Sequence, residues 1–130
     1  MNDEQDKSET NNITHAIIGA AIRVHKGLGP GLLESAYEAC LAYELERAEQ
    51  KFERQKPLPL VYEGVKLDCG YRMDFLVEGK VVVELKAVEK LHEIHRAQMI
   101  SYLRLSGCKV GLVINFNVEV LVHGVMRVSN

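Results

Sequence analysis

The segment Tyr71–Lys86 constrains the fold more than any other part of the chain, because charged side chains interrupt strand-like apolar runs. The run Val81–Val83 is entirely β-branched and predicts a buried strand. Glu84 and Lys86 follow, and residues two apart on a strand point to the same face of a sheet. Since a buried carboxylate beside a buried amine costs free energy, the pair indicates either a functional site within the sheet or, taken alone, the exposed end of the strand.

The length of the hairpin loop before this strand decides whether Asp74 joins the pair. A two-residue loop would turn Asp74 away from Glu84. A three-residue loop, Val77–Gly79, would pair Asp74 with Val82 and bring Asp74 to the same face as Glu84. One position of such a loop has a left-handed backbone conformation, which glycine adopts readily, and Gly79 occupies that position. We therefore expect two converging carboxylates, which can hold a hard divalent cation through oxygen.

The composition fits one globular domain. The chain has 130 residues, is 47% apolar and carries a net charge of −2. This charge argues against a protein that coats nucleic acid nonspecifically, but it does not exclude a local basic groove. No apolar run approaches a membrane span, and the polar beginning of the sequence shows no signal-peptide pattern. Its three cysteines lack a C-x-x-C spacing, so we expect a reducing, cytoplasmic setting.

The order of elements is predicted to be helix, helix, several strands, helix, two strands. Residues 1–10 are expected to be a disordered lead-in, and residues 11–130 a single folded domain. The expected helices run from Ile13 to the Gly27–Gly31 stop, from about Leu32 to Gln50, and from His92 to about Leu105. The expected strands are an edge strand broken by Pro57 and Pro59, then Leu60–Tyr62, Val65–Cys69, Tyr71–Val77, Lys80–Ala87, Val110–Asn115 and Val118–Val125.

Polar residues on two helices add to the candidate site. Gln98 and Tyr102 are four apart on an inward stripe, so their polar groups need partners, either the carboxylates or a bound phosphate. They also fit a hydrogen bond within the core. Glu34 lies in the first turn of the second helix, where a carboxylate also suits the helix dipole. His92 and His95 have a spacing that metals use, but no third histidine is near, so a metal site there is not favoured.

An acid, then E-x-K, then Q-x-x-x-Y, in this order, resembles the PD-(D/E)-x-K nuclease superfamily. Within it, the segment Gly31–Tyr37 is similar to the signature of the GxxExxY family of small bacterial proteins. The resemblance spans Ile13 to Val125, and one departure is Met73, where the superfamily has proline. It implies an α/β (mixed) fold, a central mixed β-sheet flanked by helices, with the site on the middle strands.

The resemblance also implies a Mg²⁺-dependent phosphodiesterase that acts on nucleic acid, with DNA as the expected substrate. Mn²⁺ is expected to be able to replace Mg²⁺. Its catalytic set would be Asp74, Glu84, Lys86, Glu34, Gln98 and Tyr102. The metal would be held by Asp74, Glu84, Glu34 and the carbonyl of Leu85. Lys86 would position water or stabilise charge in the transition state, and Gln98 and Tyr102 would orient the substrate strand or the ligands. The Q-x-x-x-Y element is similar to that of exonuclease-type members, and the resemblance implies that residues 11–130 form a single nuclease-like domain.

Two other classes of function stay open at this point. One is a non-catalytic nucleic-acid- or protein-binding domain on the same fold, although the intact acid–acid–lysine set argues against a decayed site. The other is a structural module whose polar cluster is only a core network. The sequence likewise leaves open whether the substrate is DNA or RNA, whether cutting occurs at ends or within the strand, and whether the chain forms a homo-oligomer.

Overall fold

The computed structural model describes residues 2–130, so the disorder expected at Met1 lies outside the described residues. The helices are α1 (Asp3–Leu28), α2 (Glu34–Arg47) and α3 (Glu93–Ser106), with a short 3₁₀ helix at Leu121–Gly124. The strands are β1 (Phe52–Pro57), β2 (Leu60–Tyr62), β3 (Val65–Leu67), β4 (Arg72–Val77), β5 (Val81–Lys86), β6 (Val110–Asn115) and β7 (Val125–Ser129).

A five-stranded sheet with the order β1-β4-β5-β6-β7 forms the centre of the fold. All its neighbours are antiparallel except β5 and β6, which run parallel and are connected through α3. β2 and β3 form a separate two-stranded hairpin. This arrangement confirms the predicted mixed α/β fold with a central sheet between helices, and it also places β1 at the edge, as its prolines suggested.

Helices cover both faces of the sheet, and β5 contributes to both cores. Val81, Val83 and Leu85 belong to the cluster packed under α1 and α2. Val82 belongs to the cluster under α3. This alternation places Glu84, two residues after Val82, on the α3 side of the sheet.

The expected disorder of residues 1–10 was wrong for the described part, because α1 already begins at Asp3. Asp6 explains why this polar turn is ordered. Its carboxylate binds Lys80 Nζ at 2.7 Å and Lys109 Nζ at 3.3 Å, and these contacts lower the pKa of Asp6. Low hydrophobicity pointed to disorder, but charged contacts with the distant hairpin loop and the start of β6 hold the helix.

The strand predicted at Val118–Val125 was also wrong. The chain forms the 3₁₀ helix at Leu121–Gly124 and reaches the sheet only with Val125–Ser129. The carbonyl oxygen of Val118 lies 2.7 Å from Nε2 of His25 on α1, so this segment is bound to the helix instead of the sheet. Strand propensity alone could not reveal that long-range contact.

Candidate active site

The hairpin between β4 and β5 has the three-residue loop that the site requires. Val77 pairs with Val81, and the residues Glu78–Lys80 connect them. Glu78 and Gly79 both have positive φ, 52° and 66°. The predicted loop length is confirmed, but the loop lies one residue later than expected and uses two left-handed residues.

The observed register differs from the predicted one by two residues. Val82 pairs with Leu76, whereas Asp74 was expected to be its partner. A shift of two residues preserves which side chains share a face. Continuing the observed register therefore places Asp74 opposite Glu84, and the expected convergence is retained.

Asp74 and Glu84 meet where β4 and β5 separate. The last ladder pair is Phe75 with Val83. Beyond it, the backbone N–H of Asp74 donates to Glu84 Oε2 at 2.7 Å, and the N–H of Leu85 donates to Asp74 Oδ2 at 2.8 Å. The two carboxylates thus accept the hydrogen bonds that backbone carbonyls would accept in a continued ladder. The structure brings Asp74 and Glu84 together, as the sequence predicted.

A distortion in β4 directs the Asp74 side chain. Met73 belongs to the core cluster under α3, whereas Phe75 belongs to the cluster under α1 and α2. Residues two apart would share a face in a regular strand, so the strand is distorted at Asp74. Opposite this point in β1, Gln55 has a φ of 49°, an unfavourable value for a residue with a side chain.

Gln55 connects Asp74 to α2, and sequence reasoning missed it. Its Nε2 donates to Asp74 Oδ1 at 3.1 Å and also to Glu38 Oε1. The other oxygen of Glu38 pairs with Arg54 Nη2 at 2.9 Å. Glu38 lies one turn after Glu34, so helical spacing could have suggested it, but nothing in the sequence marks Gln55.

The environment of the two carboxylates opposes their ionisation. Glu84 is only 6% exposed, and burial together with the charge of Asp74 raises the pKa of Glu84 to about 8. Burial also raises the pKa of Asp74, opposed by the N–H of Leu85. Within residues 2–130, no lysine or arginine forms an ion pair with either carboxylate. The charge of Lys86 acts to lower both pKa values, but burial outweighs it.

Lys86, Gln98 and Tyr102 line one groove beside the pair, with a volume of about 580 Å³. Gln98 Nε2 donates to the hydroxyl of Tyr102 at 3.3 Å. Tyr102 is nearly buried, and both burial and the charge of Glu84 raise its pKa. The face of α3 that carries Gln98 and Tyr102 is thus directed toward the candidate site, as predicted. The two side chains are also hydrogen-bonded to each other.

Glu34 does not join the other acids. It is exposed at the start of α2, and in the described chain no hydrogen bond or ion pair connects it to them. Tyr37 of the same heptapeptide is fully buried and stacks on Phe116 with 4.5 Å between ring centroids. Its hydroxyl donates to the carbonyl of Gly29 at 2.7 Å and accepts from the N–H of Leu32 at 3.1 Å. This tyrosine therefore fastens the loop before α2.

Asn115 is a second residue that the sequence reasoning did not single out. It is almost completely buried at the end of β6. Its Oδ1 accepts from the N–H of Val88 at 3.1 Å and its Nδ2 donates to the carbonyl of Val88 at 2.9 Å. The N–H of Phe116 donates to the carbonyl of Lys86 at 3.0 Å. Together these contacts hold the backbone that follows the E-x-K motif, and a polar residue ending a buried strand was the available signal.

The donor chemistry of the pair fits a divalent cation. Carboxylate oxygens are the ligands that Mg²⁺ prefers, and Mg²⁺ needs few of them because it retains waters. One oxygen of each carboxylate is oriented by a backbone N–H, while Glu84 Oε1 accepts no hydrogen bond from residues 2–130. A cation would reverse the electrostatic cost that raises both pKa values. In the same part of the chain, however, no three His, Cys, Asp or Glu side chains are grouped to hold an ion, so the expected three-acid shell is not assembled.

The mixed sheet flanked by helices, with the acid pair on its middle strands, defines a nuclease-like α/β domain. A family profile described as the PD-(D/E)XK nuclease superfamily matches residues 11–128. The chain belongs to this superfamily. Comparison with curated proteins and with solved structures gave no match. None of the helices in the described residues has the length and apolar character needed to cross a membrane.

Proposed function

We propose that this chain is a metal-dependent nuclease that hydrolyses phosphodiester bonds of nucleic acid. The observation that carries the proposal is the Asp74–Glu84 pair, which is desolvated, held by backbone N–H groups and given no ion-pair partner by residues 2–130. Strained or poorly compensated buried charge is typical of functional sites. Superfamily membership supports the same reaction class.

Asp74, Glu84 and the carbonyl of Leu85 would hold the cation, with Mg²⁺ as the natural ion and Mn²⁺ as a substitute. Bound there, the ion would polarise a phosphoryl oxygen and lower the pKa of a bound water. We leave Glu34 outside this set, because the structure keeps it exposed and unconnected to the pair. Glu38 and Gln55 instead orient Asp74 from outside the metal site.

Lys86 would stabilise negative charge on the phosphate or position the attacking water. It is two residues from Glu84 on β5, and within residues 2–130 its ammonium is not ion-paired. A donor group beside the reacting phosphate acts in this way in a desolvated site. Gln98 and Tyr102 would orient the substrate strand along the groove they share with Lys86.

The finer assignments belong to the same proposal. Gly31, Glu34 and Tyr37 support membership of the bacterial GxxExxY family, and Gln98 with Tyr102 supports an exonuclease-type enzyme. DNA is the proposed substrate. A reducing, cytoplasmic setting suits the three free cysteines.

The absence of an ion pair between Glu84 and Lys86 in the described chain argues against a purely structural network. A core network would satisfy both charges against each other. A non-catalytic binding domain on the same fold is the remaining competitor, and it would bind metal or nucleic acid without cleaving.

The proposal is tested by incubating the protein with labelled single- and double-stranded DNA and RNA in Mg²⁺, Mn²⁺ or EDTA. We expect metal-dependent cleavage by the parent protein and none by Glu84→Ala. Glu46→Ala, an exposed change on α2, is the matched control and should cleave normally. Binding without cleavage in every metal would identify the non-catalytic domain instead.

A further inference from the structure

The groove beside the acid pair has the charge expected of a phosphate-binding surface. Its lining includes Lys86 and no acidic side chain among the residues that the structure describes, and His95 adds a neutral ring whose Nδ1 accepts the N–H of His92. The chain as a whole carries a net charge of −2, so this groove differs from the average surface. Its charge is therefore complementary to a nucleic-acid backbone that leads to the candidate site.

An exposed aromatic ring stands in the same groove. Tyr71 is 46% exposed and lies against Tyr102 in an edge-to-face arrangement, with centroids 6.2 Å apart and planes inclined by 67°. Leu60 and the exposed Ile94 are its apolar neighbours in the lining. Contact with the nearly buried Tyr102 orients the ring, and Tyr71 and Lys86 line the same groove.

The apolar surface continues from this groove onto the hairpin formed by β2 and β3. Leu60 begins β2, and the hairpin exposes Val61, Tyr62 and Val65. Tyr62 is 65% exposed. A second aromatic ring thus lies on an element continuous with the groove, which extends the candidate surface beyond one nucleotide.

Duplex and single-stranded nucleic acid differ in whether the faces of their bases are accessible to this surface. In a duplex, the bases are stacked on each other, and their faces are hidden except at the ends. In a single strand, unstacked bases can lie on aromatic side chains while the backbone follows basic groups. The combination of Tyr71 and Lys86 in one groove beside the acid pair fits the second case.

We propose that the substrate is single-stranded nucleic acid, or an unpaired end, with a base stacked on Tyr71 and the adjoining phosphate directed by Lys86 toward Asp74 and Glu84. This inference rests on the proposed nuclease function. It specifies the form of the substrate and names Tyr71 as a binding residue that no sequence motif marks.

The test measures fluorescence anisotropy of a labelled oligodeoxythymidylate and of a duplex of equal length, in EDTA so that cleavage does not interfere. We expect the single strand to bind at least tenfold more tightly than the duplex. Tyr71→Ala should weaken single-strand binding by roughly tenfold, the effect of losing one stacked base, whereas Tyr71→Phe should keep the affinity. Tyr43→Ala, which removes a 59% exposed tyrosine on α2, is the matched control and should bind like the parent protein.

A second assay separates this inference from the proposed function. Hydrolysis of methyl p-nitrophenyl phosphate in Mn²⁺ requires the acid pair but offers no nucleobase to Tyr71. Support consists of normal hydrolysis of this diester by Tyr71→Ala together with impaired cleavage of single strands. Equal affinity for single and double strands, or equal binding by Tyr71→Ala and Tyr43→Ala, overturns the groove inference while diester hydrolysis still supports the nuclease.

Other results affect only one of the two proposals. If no substrate is hydrolysed, the proposed nuclease function is overturned. The anisotropy data then test only whether the groove binds single strands. The hairpin could also bind a second copy of this chain. If sedimentation shows a dimer at assay concentration and no single strand binds, the groove inference is overturned.

Discussion

Asp74 donates its backbone N–H to Glu84 and uses its own carboxylate to accept the N–H of Leu85. These hydrogen bonds replace the ladder between β4 and β5 beyond Phe75 and Val83. The acid pair is therefore located where regular strand pairing ends, and its orientation depends on backbone groups of both strands. Removing either carboxylate would affect the site and the local strand geometry together.

The first prediction concerns Glu84 and pH. The pKa of Glu84 in the folded chain is raised to about 8, whereas its ordinary value is 4.5. The folded state therefore binds a proton that the unfolded state has lost, and stability from this group is complete below about pH 4.5 and lost as the pH rises toward 8. Glu84→Gln cannot titrate, so its free energy of unfolding should increase relative to the parent between pH 5 and pH 8.

Urea denaturation of both proteins across this pH range provides the measurement. At pH 8, Mn²⁺ should stabilise the parent protein and not Glu84→Gln, because only the native parent binds the ion. A stability difference that does not change with pH, together with no effect of Mn²⁺ on the parent, would remove the basis for the metal site.

The second prediction separates the roles of Lys86 and Glu84. Lys86→Ala should abolish cleavage but keep or increase Mn²⁺ affinity, because a positive charge near the cation is removed. Glu84→Ala should abolish both, because a ligand is lost. Isothermal titration with Mn²⁺ and a cleavage assay measure the two properties. Cleavage by Lys86→Ala at the rate of the parent protein would instead exclude Lys86 from the reaction.

The third prediction concerns the strained backbone at Gln55. Gln55→Ala and Gln55→Gly both lose the hydrogen bond to Asp74 and should lower the rate of cleavage. At a φ of 49°, glycine avoids the steric cost of a side chain, so Gln55→Gly should be more stable than Gln55→Ala by about 1 kcal/mol. Chemical denaturation and initial rates measure the two effects.

A matched control for Gln55 is Glu49, which has a φ of 58° outside the site. Glu49→Gly should stabilise the fold by a similar amount and cleave normally. Normal cleavage by Gln55→Ala would show that Asp74 is oriented without Gln55.

The fourth prediction concerns the tyrosine of the heptapeptide. Tyr37→Phe removes the hydroxyl that bonds Gly29 and Leu32 and leaves these backbone groups without that partner. The free energy of unfolding should fall by about 1–3 kcal/mol. Metal affinity should be unchanged, since this side chain lies on α2 and its hydroxyl bonds the loop before that helix, not the acid pair. A loss of Mn²⁺ binding larger than the loss of stability would instead connect the heptapeptide to the metal site.

Local pattern in the sequence was sufficient to predict the strands around the site and the convergence of Asp74 and Glu84. Side-chain alternation has a period of two, so the parity of the hairpin loop decided which residues share a face, even though the predicted register was shifted by two residues. Helical spacing similarly predicted that Gln98 and Tyr102 face inward. These relationships depend on residues close to each other in the chain or on simple strand pairing.

Contacts between distant parts of the chain establish which groups support the site and which lie outside it. Gln55 contacts Asp74 where β1 and β4 are both distorted. Glu38, and not Glu34, is the α2 acid that Gln55 connects to Asp74. Asp6 orders the beginning of α1 through its ion pair with Lys80. Each of these contacts joins residues far apart in the sequence, and no periodic pattern encodes the hydrogen bonds between them. The acids and the strands that carry them follow from the local sequence pattern, whereas the side chains that contact them follow from the pairing of β1 with β4 and the packing of α2 against β1.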